Sequence, residues 1–96
     1  MTSEEVLKNW RPELIDYLKE MYEFRNNPDI GEILMMLGQM SARASLMRNL
    51  CMRSSNNDII RFRLDEIDPF INEVDRQYKI YSRLLSANQF ELDLTK

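Results

Sequence analysis

The chain has 96 residues, 44% of them hydrophobic and 30% charged, with a net charge of -3 and one cysteine, Cys51. That length supports one domain with a modest core, which self-association would enlarge, and a lone cysteine excludes an intramolecular disulfide framework. No basic-then-apolar leader opens the chain, and its longest apolar run, Ile33 to Leu37, falls far short of the roughly 20 residues that span a bilayer, so a cytoplasmic, membrane-free protein is expected.

Thr2 and Glu5 have the spacing of a capping box, and Val6, Leu7, Trp10, Leu14, Tyr17, Leu18, Met21 and Phe24 then recur at helical intervals. Pro12 lacks an amide hydrogen and disfavours the α conformation at Arg11, which predicts a short helical piece before it and a longer helix from 12 to about 25. Asn26-Asn27-Pro28-Asp29 marks the next boundary, read as an Asn cap with a proline at the first helical position. From there to Arg53 the seam Ile30, Ile33, Leu37, Met40, Ala44, Met47, Cys51 alternates steps of three and four. Apolar residues spread beyond it through Leu34, Met35, Met36, Leu46 and Leu50, as a central helix requires. Gly38, Ser41, Ala42 and Ser45 are small enough to admit a neighbouring backbone.

Ser54-Ser55-Asn56-Asn57 reads as a turn in preference to a polar interruption of one longer helix. A third pattern, Ile60, Leu64, Ile67, Ile71, Val74, Tyr78, Tyr81, Leu85, predicts a helix from 58 to about 86 with a kink or restart at Asp68-Pro69. The alternation of Ile60 to Leu64 also suits a short strand, the rival reading. After Ser86-Ala87-Asn88 the helical signal fades, and Gln89 to Leu94 alternates as a tail that is extended or becomes so on binding. The expected fold is all-α: a small antiparallel bundle of three main helices over residues 1–88 with a short N-terminal helical piece, completed by homo-oligomerisation, and a tail over 89–96.

The chemistry expected is binding, not catalysis, and no catalytic residue, metal site or cofactor is assigned. There is no histidine, and two glycines make no phosphate-cradling loop. Cys51 sits on the apolar seam, where a buried, inert thiol is expected. The remaining enzymatic reading pairs Glu20 with Glu23 and Asp65 with Asp68 to hold magnesium, as all-α nucleotide pyrophosphohydrolases do. The match is poor, since the second pair begins with Asp and abuts Pro69.

Charge is segregated along the chain. Residues 33 to 63 carry Arg43, Arg48, Arg53, Arg61 and Arg63 against Asp58 alone, between two acidic thirds. Guanidinium groups suit phosphate, so an oligomer that binds nucleic acid or a nucleotide through these five residues is one reading. The other pairs them with the acidic helices of the same chain or a second subunit. Met35, Met36, Met40, Met47 and Met52 suit core or dimer packing, or an adaptable partner groove.

Gln89-Phe90-Glu91-Leu92-Asp93-Leu94 resembles the six-residue bacterial sliding-clamp-binding motif, with Phe90 in place of the usual Leu. The resemblance implies that Gln89 makes polar contacts at a pocket edge while Phe90, Leu92 and Leu94 fill a hydrophobic cleft. Phage polymerases and late-transcription coactivators carry short C-termini of the same kind. The alternative is a tail that covers its own bundle or pairs with a neighbouring subunit. High Asn and Ile with few Ala and Gly fit an AT-rich genome, bacterial or viral. The leading functional expectation is a non-catalytic adaptor or regulator with a protein partner, in replication or transcription machinery.

Overall fold

The structure, a computed structural model, describes the backbone of residues 2–94 and the side chains of Thr2 and residues 4–88. Among these the fold is all-α: α1 (Ser3–Glu23) ending in a 3-10 turn (Phe24–Asn26), α2 (Ile30–Met52), α3 (Asn57–Phe62), a π turn (Arg63–Ile67) and α4 (Asp68–Leu94). The stretch from Ile60 to Leu64 is helical, which removes the strand alternative.

α1 begins where the capping signal places it, with Thr2 Oγ1 accepting the Glu5 N–H at 3.2 Å. It then runs through Pro12 without the expected break, so there is no separate N-terminal piece. The reason is phase. Val6, Trp10 and Leu14 on both sides of the proline step by four, and Met21 and Phe24 continue the same buried stripe. Both halves therefore share one axis, and burial of that stripe, about 1.5–3 kcal/mol per large side chain, offsets the roughly 3 kcal/mol cost of an internal proline.

The next boundary is displaced by two residues from its expectation. Asp29, not an asparagine, caps α2, accepting the Glu32 N–H at 3.1 Å, while Pro28 precedes the cap and Asn27 Oδ1 accepts the Asp29 N–H at 2.9 Å. The expected seam of α2 is buried from Ile33 to Cys51, and Ile30 is half-buried. Ser54 to Asn56 break the helix where the turn Ser54 to Asn57 is expected, Asn57 being already the first residue of α3, and Asn56 Oδ1 caps α3 by accepting from Asp58 and Ile59 N–H.

The restart near residue 68 takes the form of the π turn, in which the Asp68 N–H reaches back to the Arg63 carbonyl. The extra residue resets the face. The buried side chains are Ile59 and Phe62, then Ile67, Phe70, Ile71 and Val74, whereas Leu64 is 52% exposed and Ile60 only half-buried. From Phe62 to Ile67 the buried stripe takes a step of five, which an α-helix cannot keep on one face and an i→i+5 turn can.

α4 continues to Leu94, so the backbone of the tail is helical in the free chain and not already extended. No glycine or proline follows Pro69, and Ser86-Ala87-Asn88 offers nothing that stops a helix. The side chains of Gln89, Phe90, Leu92 and Leu94 lie outside the described residues.

Contacts set the topology. Arg11 meets Glu66, Tyr17 meets Phe70 and Phe24 meets Tyr81, so α1 runs parallel to α3 and α4. α2 returns antiparallel to both, with Arg43 paired to Glu13 and Met52 beside Arg63 and Asp68. The molecule measures 58 × 21 × 16 Å. Its long axis is the α3–π–α4 rod, about 57 Å at 1.5 Å per residue.

Candidate functional site

Two surface sites bring chemistry-bearing residues together. The first is a groove of about 280 Å³ between α1 and the start of α4. Its walls are Leu14, Ile15 and Leu18 from α1 and Pro69 and Phe70 from α4, and its rim carries Arg11, Asp65, Glu66 and Glu73. Ile15 and Leu18 are 45% and 46% exposed, although both lie inside the apolar run of α1. Tyr22 continues their stripe one turn on, its ring 3.7 Å from the Arg25 guanidinium carbon.

The π turn shapes this groove. By advancing the chain one residue it sends Glu66 towards α1, where Arg11 Nε donates to both carboxylate oxygens at 2.8 and 3.1 Å. The Arg11 guanidinium also sits 5.6 Å from the centroid of Phe62. The hydrogen bond to Glu66 raises the pKa of Arg11 further. At the far end, hydrogen bonds from Arg76 and Gln77 hold the Glu73 carboxyl at about 2, so it stays ionised. Asp65 has no ion-pair partner among the described residues, which leaves the rim acidic.

The second site lies between the end of α2 and the π turn, where Arg48 and Arg63 converge with Asn49, Asn72 and Asp68. The Nε atoms of both arginines and Oδ1 of Asp68 are buried without a hydrogen-bond partner. Of the five arginines that the phosphate-binding reading groups, Arg48 and Arg63 line one site together. Arg43 donates to Glu13 at 2.7 and 3.2 Å, an ion pair with α1 that raises its pKa. Glu13 and burial in turn push the Tyr17 hydroxyl upward, burial being the larger cause. Arg61 lies beside Asp58 and Asp65 on another side, and Arg53 is exposed at the end of α2. Arg43 is thus taken up by an acidic side chain of α1, as charge reciprocity implies, while the other four are spread over different sides of the molecule.

The carboxylate pairs do not converge. Asp65 opens to the α1 groove and Asp68 to the arginine site, Glu23 accepts from Asn26, and no cluster of three or more His, Cys, Asp or Glu side chains fit for a metal occurs among the described residues. Cys51 is fully buried, and burial pushes its thiol pKa up while Arg63 pulls it down. Met40 and Met47 are core, Met36 is half-buried, and Met35 and Met52 are exposed.

No protein-family model, curated protein or solved structure matches the chain. No helix among the described residues is long and apolar enough to cross a membrane. The groove was not visible as a site in the sequence, although one signal was present: Leu14, Ile15, Leu18 and Tyr22 make α1 apolar over a wider arc than its core stripe needs.

Proposed function

We propose that the chain is a non-catalytic adaptor or regulatory module that docks a larger protein partner in the groove between α1 and α4. The observation that carries this reading is the pairing of exposed Ile15 and Leu18 with Pro69 and Phe70 beneath a rim of Asp65, Glu66 and Glu73. An amphipathic segment with apolar anchors and a basic edge has the matching chemistry. The Gln89 to Leu94 tail is a second contact in the more specific version, in which the partner is a sliding clamp of replication or transcription machinery.

The test is capture from the native host followed by reconstitution with the purified partner. Leu18→Asp is expected to weaken binding by about 100-fold without loss of helicity, since an uncompensated charge enters an apolar contact. Unchanged affinity in Leu18→Asp removes the groove. Unchanged affinity after truncation beyond Asn88 removes the clamp version.

A second reading, nucleic-acid or nucleotide binding, is favoured by the convergence of Arg48 and Arg63 with Asn49 and Asn72 and by the absence of an ion pair to either arginine among the described residues. It predicts DNA or RNA affinity that falls steeply with salt and is lost in Arg48→Glu. Salt-insensitive or absent binding rejects it.

A further inference from the structure

The outward face of α2 carries no charge between its ends. Its exposed residues from Glu32 to Arg53 are Met35, Gly38, Gln39, Ala42, Leu46, Asn49 and Met52, in a chain that is 30% charged. The two charged side chains within this stretch are turned to the flanks, Arg43 to Glu13 of α1 and Arg48 to the neighbourhood of Arg63. A helix face left to water ordinarily carries charged and polar groups. Met35, Gln39, Ala42, Leu46, Asn49 and Arg53 instead alternate steps of four and three, the spacing of a helix-pairing seam.

Gly38 adds an independent observation. It is exposed in mid-helix with an ordinary negative φ, and a Cβ built on it meets nothing within 4 Å. Glycine weakens a helix interior relative to alanine, and no contact among the described residues requires it here.

We propose that a second copy of the chain covers this face in an antiparallel two-fold pair, with the axis beside Ala42. Charge selects both the occupant and the direction. The face has Glu32 at one end and Arg53 at the other, so antiparallel pairing brings each Glu32 to Arg53 of the partner subunit. Parallel pairing sets like charges together. In the same register Leu46 enters the hole formed by Met35, Gly38, Gln39 and Ala42 of the partner subunit, which have the i, i+3, i+4, i+7 spacing of a knob-into-hole contact. Gly38 and Ala42 let the two helices approach closely.

The face is about 34 Å long and one helix wide, less than the ~800 Å² per partner of a standard interface, which puts the pair in the weak, transient class. It shares no residue with the α1–α4 groove, so the two proposals fail separately.

Sedimentation equilibrium of the full chain from about 1 μM to 1 mM is expected to shift from the 11.5 kDa monomer to twice that mass. Ala42→Glu places two like charges at the axis and is expected to weaken association at least about 100-fold with the dilute-state circular dichroism unchanged. Gly38→Ala is expected to raise the dilute-state Tm and weaken association together, a combination that a purely internal role for Gly38 does not produce. Glu32→Arg is expected to weaken the pair, and added Arg53→Glu to restore it. Under mild oxidation Ala42→Cys is expected to cross-link and Met35→Cys not to. A monomer at 1 mM, a dimer indifferent to Ala42→Glu, or efficient cross-linking through Met35→Cys overturns the proposal.

Discussion

α2 and the α3–π–α4 rod form the largest helix pairing of the molecule, yet they keep their shared core in register by different means. α2 is a single regular helix whose buried residues step by three and four from Ile33 to Cys51. The rod buries Ile59 and Phe62 on one side of the π turn and Ile67 to Val74 on the other, joined by a step of five. Regular spacing makes one helix rigid in phase; the π turn lets the two ends of the other choose their phases independently.

The sharpest way to break this comparison is deletion of one exposed residue from each helix. Deleting Ala42 rotates Ala44, Met47 and Cys51 by about 100° off the core face, and the chain is expected to lose cooperative unfolding altogether. Deleting Leu64 together with Pro69→Ala turns the step of five into a step of four. This variant is expected to remain helical and cooperative, with the π turn replaced by α-helix and the groove beside Glu66 altered. Circular dichroism with thermal melts separates the two outcomes.

Point substitutions sharpen the same contrast with smaller effects. Leu37→Ala, at a fully buried α2 position, is expected to cost about 2–5 kcal/mol in urea denaturation. Leu64→Ala, which the three-and-four reading treats as equally central, is expected to cost no more than about 0.5 kcal/mol because the π turn exposes it. Equal losses at the two sites would mean that Leu64 is buried and the register of the rod is regular.

The smallest effect is acid sensitivity confined to α4. The folded-state pKa of Glu73 is lowered from 4.5 to about 2 by Arg76 and Gln77, so its contribution is full above pH 4.5 and lost as pH falls towards 2. The side chain is 35% exposed, and solvent screening limits the contribution to about 0.5 kcal/mol. Glu73→Gln is expected to flatten the stability profile in that window by this amount.

The all-α class, the α2 seam and the turn at Ser54 to Asn56 were legible because each rests on local spacing or capping chemistry. The π turn was not. Ile60 and Leu64 fit an unbroken helix as well as Ile59 and Phe62 fit an interrupted one, and only packing against α1 and α2 decides between them. Pro12 misled for a related reason: the local rule against an internal proline was outweighed by a buried stripe continuous on both sides. The division of the arginines followed from charge reciprocity in outline, but which arginine met which carboxylate depended on distances that the sequence does not contain. The groove was hidden because Ile15 and Leu18 differ from Leu14 only in which way α1 is turned.

The attachment of α1 has a consequence for motion. It is joined to its neighbours by less contact than binds α2 to α4, and two part-exposed ion pairs, Arg11 with Glu66 and Arg43 with Glu13, supply much of its polar anchoring. Such pairs hold weakly in salt. Amide hydrogens of α1 are therefore expected to exchange through local openings, faster as ionic strength rises, while those of α2 exchange only when the whole molecule unfolds. The wall of the groove is then less stable than α2, and ligand capture there is expected to appear as slowed exchange across α1.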